Sequence, residues 1–211
     1  MNKNKLERIF LVIGATTAWF AVVIQLYLLI ANSGPNVIDA IIRFFSYFTI
    51  LTNTLIAICY SALLSNKNSS FKHFFAKPSV RSALTVYILI VGLIYNVVLR
   101  NLWSPQGMQY IVDEFLHTFD PAFFLLYWLI FVSKASLRYK YIFSWMLYPL
   151  AYTIYTFVLG EITNWYPYPF LEVSQLGYVQ VLINCGWVTL SFLIVSVLLV
   201  SVNKILSRNR N

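Results

Sequence analysis

Apolar residues follow one another for about twenty positions at a time along this chain, and charged or turn-forming residues separate the runs. Six runs stand out: residues 9–31, 44–64, 82–103, 113–132, 141–160 and 178–202. A helix rises about 1.5 Å per residue, so some 20 residues cross a hydrocarbon core roughly 30 Å thick. The pattern therefore predicts an all-α, polytopic membrane protein, residues 1–211 forming a single bundle of six transmembrane helices. Between the runs lie a short basic loop at residues 66–79 and an aromatic turn, Trp165 to Phe170, with no room for a soluble domain of about 50 residues. Lys3, Lys5 and Arg8 precede the first run. Its apolar core is too long for a signal peptide and no small-x-small cleavage site follows, so it is read as a retained anchor.

Composition strengthens this reading. Of 211 residues, 60% are hydrophobic and 10% charged, and the mean hydropathy is +0.72. Soluble domains carry about 25% charged residues, so a soluble globule is excluded, as is a disordered chain. A disulfide scaffold is excluded too: the two cysteines, Cys59 and Cys185, lie inside apolar runs and read as small buried hydrophobes.

The charges divide between alternate loops. One set holds thirteen of the fifteen basic residues, from Lys3 through Lys67, Lys72, Lys77, Arg81, Lys134 and Arg138 to Arg210, against the single acid Glu7, or +12. The other sets two basic residues, Arg43 and Arg100, against six acids, or −4, which recovers the net +8. By the positive-inside rule both termini are cytoplasmic and the protein is a multi-pass protein of the cell membrane. Anionic lipid headgroups at the inner face are the expected partners of the basic loops, and no motif points to nucleic acid.

Polar residues inside an apolar span cost free energy unless they are paired or face a cavity. Here they cluster. Ser46, Thr49 and Asn53 share one face of the second run, with Thr52 beside them; Asp113, His117 and Asp120 follow at i, i+4 and i+7 on the fourth; Asn96 and Arg100 stand on the third; Tyr148, Tyr152 and Tyr155 on the fifth. Counted from the outer ends of their runs, Thr49 and His117 both lie about 6–8 Å deep. A hydroxyl and an imidazole at one depth are the minimum for nucleophilic catalysis: Thr49 as nucleophile, His117 as its base, Asp120 orienting the imidazole. Asn53 and Asn96 are candidate oxyanion donors, and Arg100 a candidate holder of a substrate carboxylate.

Plainer roles are open to each. Thr49 can bond back to the carbonyl four residues earlier, Asp113 and Glu114 can cap the outer end of a helix, Pro121 can kink the span or mark its start, and Arg100 can pair with an acid. The aromatic residues suit an interfacial belt. No metal or cofactor is expected: the span histidine is alone, and there is no phosphate loop, serine elbow or CxxC.

The runs Tyr47-Phe48-Thr49-Ile50-Leu51 and Leu116-His117-Thr118, followed by Pro121, resemble the androgen-induced membrane protein family. Its animal members are multi-span threonine hydrolases of fatty acid esters of hydroxy fatty acids. The segments Arg100-Asn101-Leu102-Trp103 and Tyr166-Pro167-Tyr168-Pro169-Phe170 look like those of its bacterial six-span relatives. The resemblance implies that Thr49 is the nucleophile and His117 the base, acting on a membrane lipid or long-chain acyl ester. Thr52 and Thr54 stand close by, so the choice between Thr49 and Thr52 stays open. The alternative expectation is a transporter or lipid-binding protein with a His117/Asp120 proton relay and no covalent chemistry.

Overall fold

The structure is a computed structural model, which describes residues 2–102, 104–132 and 137–208 and not the side chain of Arg208. Trp103, Lys134 and Arg210, which carry part of the span, charge and motif readings, lie outside the described residues. Every regular element among the described residues is helical, and the chain divides into two compact units, residues 1–136 and 137–211.

In the first unit α1 (Lys3–Ala31) starts at an Asn2 cap, whose side chain accepts from the Asn4 amide. α2 (Val37–Ser46) and α3 (Phe48–Leu64) meet at Tyr47, whose extended backbone bends the pair by 75°. The second apolar run, predicted as one helix from Phe44, is therefore broken three residues in. α1 packs along α3 at Gly14, where the phenol end of Tyr60 occupies the space a Cβ would take. The basic loop holds a short helix, α4 (Ser70–Ala76), capped by Ser69.

α5 (Pro78–Ile94) begins at a proline, which fits the first turn because its missing N–H would have no partner there. It runs on through a π-helical turn, Tyr95–Leu99, and a 3-10 turn, Arg100–Leu102. The fourth predicted span is the helical path of α6 (Met108–Glu114), a second π turn (Phe115–Phe119) and α7 (Asp120–Phe131). The helix thus starts at Met108, one and a half turns before Asp113, and Asp113 is not a cap: it is buried mid-helix.

The second unit contains α8 (Tyr141–Trp145), α9 (Leu147–Thr163), a 3-10 turn (Pro169–Leu171) and α10 (Val173–Arg208), which kinks at Gly177 where φ is +71°. Asn164 ends α9 in the left-handed conformation. The aromatic turn folds back so that the Tyr166 ring covers Gly160, and Asn184 of α10 donates to the Phe170 carbonyl at 2.9 Å.

Among the described residues four helices are long and apolar enough to cross a membrane: Lys3–Ala31, Pro78–Leu102, Tyr141–Thr163 and Val173–Ser207. The bent pair α2 and α3 makes a fifth if counted as one span. The path Met108–Phe131 differs because Asp113, Glu114 and Asp120 interrupt its apolar run; the stretch free of charge, from Pro121 to Phe131, is too short to cross alone. The coarse expectation of a helical membrane protein stands on these elements.

Candidate functional site

The two π turns of the first unit pack against each other, and Asn53, Asn96, Arg100, Asp113 and His117 converge there. π turns insert a residue into a helix and leave backbone groups to be satisfied from outside. At the second turn Pro121 is decisive. The carbonyl of His117 would take its α-helical bond from residue 121, which has no N–H. The Asp120 amide bonds to the Phe115 carbonyl, which leaves the Leu116 carbonyl without its helical donor as well. Two asparagines fill these vacancies. Asn53 of α3 donates to the Leu116 carbonyl at 3.2 Å and to that of Thr49 at 2.9 Å. Asn96 donates to the His117 carbonyl at 3.2 Å and to that of Gly92 at 2.8 Å. Gly92 permits this approach: a Cβ there would stand 3.2 Å from both the His117 oxygen and the Pro121 Cβ.

His117 is held on three sides. Its Nδ1 lies 2.9 Å from the Asp113 carbonyl and 3.2 Å from the Asp113 carboxylate, one turn earlier on the same helix. Its ring stacks on Tyr95, centroids 4.0 Å apart and planes within 16°. The Tyr95 hydroxyl in turn donates to the other oxygen of Asp113. These contacts all fall on Nδ1 or the ring face and leave Nε2 as the nitrogen for proton transfer; the side chains of His117 and Asp113 are 12% and 8% exposed. Carboxylate, Nδ1 and Nε2 thus stand in the order that a catalytic histidine requires.

Arg100 forms the outer edge of the cluster. Its guanidinium meets Glu114 through two bonds, of 2.6 and 3.0 Å, donates to Thr118 at 3.0 Å and to Asn96 at 2.8 Å, and lies over the Tyr95 ring. A cavity of about 630 Å³ opens beside it, lined by Tyr95, Arg100, Tyr110, Glu114 and the loop from Ser104 to Gly107.

Thr49 and Thr52 are buried on α3, each engaged by neighbours, and the Asn53 amide ties the Thr49 backbone to the turn that carries His117. Asp120 is placed away from the imidazole, where it accepts from Thr17 of α1 at 2.9 Å. Asn53 and Asn96 each spend one donor on a carbonyl freed at the π turn and one on the carbonyl four residues earlier on their own helix, and Arg100 is neutralised by Glu114. Tyr148, Tyr152 and Tyr155 belong to α9 in the second unit. Sequence reasoning missed Tyr95, which nothing marked out among the chain's fifteen tyrosines, and took Asp113 for a cap, although its i, i+4 spacing to His117 was a usable signal. Among the described residues no three His, Cys, Asp or Glu side chains gather as metal ligands.

No family model, no curated protein and no solved structure matches this chain.

Proposed function

We propose that this chain is an integral membrane hydrolase of long-chain acyl esters, crossing the cell membrane six times with both termini at the cytoplasmic face. The sixth crossing is the path Met108–Phe131, its Asp113 and Glu114 paired within the bundle, and anionic lipid headgroups meet the basic inner loops. One observation carries the catalytic reading: His117 is fixed through Nδ1 by a buried Asp113 that Tyr95 also holds. Such an arrangement stabilises an imidazolium and presents Nε2 as a base.

In this reading the Thr49 hydroxyl attacks the acyl carbonyl and its proton passes to Nε2. Collapse of the tetrahedral adduct expels the alcohol, which takes that proton and leaves an acyl-threonine. Water then attacks the acyl-threonine as its proton goes to Nε2; the carboxylic acid departs and Thr49 recovers its proton. Thr49 is preferred to Thr52 because Asn53 ties its backbone to the His117 turn and because Thr52 is fully enclosed. Arg100, already paired with Glu114, sits where it orients polar parts of a lipid beside the cavity while the acyl chain lies among apolar helices.

A fluorophosphonate probe tests the reading. Labelling located on Thr49 by mass spectrometry and lost in Thr49→Ala and His117→Ala is expected; labelling unchanged in Thr49→Ala overturns it.

A further inference from the structure

A second set of buried polar groups lies deeper in the first unit, on the side of Asp120 away from His117. Asp120 is 2% exposed, and among the described residues only one of its carboxylate oxygens has a partner, Thr17 at 2.9 Å; Oδ2 has none. Tyr60 on α3 is 1% exposed and its hydroxyl likewise lacks a partner. The two groups meet at one turn of α1. The phenol end of Tyr60 lies over Gly14, and Thr17, which donates to Asp120, also lies 3.3 Å from the Gly14 carbonyl. Buried polar atoms are rarely left unpaired, and internal water is the usual partner where protein groups supply none.

The polar line continues from Tyr60. Its ring packs edge-on against Tyr127, centroids 5.6 Å apart. The Tyr127 hydroxyl donates to Glu7 at 3.1 Å and accepts from Arg81 at 3.1 Å. Glu7 stands in the second turn of α1 and Arg81 in the first turn of α5, and both are half-buried, at the mouth of the line. The other titratable groups along this interior are Cys59 on α3 and His117 one turn from Asp120; among the described residues none forms an ion pair with Asp120.

We propose that Asp120 is an internal proton-binding site, which exchanges protons with the face at Glu7 and Arg81 through the hydroxyls of Tyr127 and Tyr60 and water between them. A carboxylate within a membrane bundle is costly unless a partner or a proton neutralises it, and Asp120 has no cationic partner. A proton arriving at Glu7 is relayed by hopping: each hydroxyl or water accepts one proton and releases another, and the last forms the O–H bond at Oδ2. Reversal returns it. This function is separate from ester hydrolysis, since Asp120 makes no contact with the imidazole and the line runs to the opposite end of the helix from the Arg100 cavity.

The test is infrared difference spectroscopy on the full chain in lipid nanodiscs after a downward pH jump. Wild type is expected to show a protonated carboxyl band that shifts in deuterated water and is absent in Asp120→Asn. Tyr60→Phe and Tyr127→Phe are expected to keep the band's final amplitude but slow its rise by an order of magnitude or more. Thr17→Val, which keeps the carboxyl, is expected to move its frequency. Thr49→Ala is expected to retain the band whether or not it hydrolyses esters, so the two functions fail separately. A band that persists in Asp120→Asn, an unchanged rise in both tyrosine variants, or an unmoved frequency in Thr17→Val would overturn the proposal.

Discussion

Residues 1–136 bury two carboxylates, Asp113 and Asp120, among helices, and supply each with partners from the elements around it: Tyr95 and His117 for one, Thr17 for the other. Residues 137–208 keep their charged groups toward helix ends instead. Glu161 accepts from Tyr178 near the end of α9, and Lys204 lies over Tyr139 near the end of α10. Burial is greatest in the first unit's Pro78–Leu102, at 56% of its most apolar stretch, while Lys3–Ala31 at 33% stands close to Tyr141–Thr163 at 28% and Val173–Ser207 at 22%. A charge inside a bilayer is retained only where it is used or well paired, so the first unit is where chemistry is to be sought. The second unit has the character of lipid-facing helices joined by a tightly packed aromatic turn.

The largest effect that can break this contrast is on turnover. His117→Ala is expected to lower ester hydrolysis by about 10²–10⁴, the usual worth of a positioned base. Asn184→Ala, which cuts a bond of the same kind in the second unit, is expected to leave the rate unchanged. Equal losses from both would abolish the distinction. Asp113→Asn should lower kcat by up to about 10⁴-fold, because an amide in that place holds the imidazole in the wrong tautomer. Asp120→Asn should leave kcat near wild type in the same assay, and the reverse order would exchange the two carboxylates' roles.

A smaller effect concerns stability. Asn96→Ala leaves the His117 carbonyl without its side-chain donor and should cost about 1–3 kcal/mol in detergent unfolding. In a Pro121→Ala background, where residue 121 regains an N–H, the same substitution should cost clearly less; equal costs would separate the asparagine from the proline. Smallest of all, Asp39→Asn removes an exposed pair with Arg43 on α2 and should change stability by no more than about 0.5 kcal/mol.

Which features were legible in the sequence follows from their physics. Hydropathy marks helices because burial in lipid demands long apolar runs, and α1, α5, α9 and α10 follow the runs closely. The bend at Tyr47 was not legible: Ser46 and Tyr47 interrupt nothing in an apolar average, and the break depends on Tyr47 taking an extended conformation. At the site, His117 and the second and fourth runs were visible because polar residues are rare in apolar surroundings. Their pairing was not. Asp113 and Asp120 flank His117 at nearly equal spacing, and the π turn decides between them by adding a residue, which leaves Asp113 beside the imidazole and turns Asp120 toward Thr17. Asn53 and Asn96 had the look of oxyanion donors because the sequence does not show that the π turn and Pro121 each free a carbonyl for them.

Hydrolysis of a panel of long-chain esters by purified wild type, Thr49→Ala, Thr52→Ala and His117→Ala in detergent tests the central claim most directly. Activity in wild type and Thr52→Ala, lost in Thr49→Ala and His117→Ala, is the predicted result. Equal hydrolysis by all four, or none by folded wild type, would contradict it.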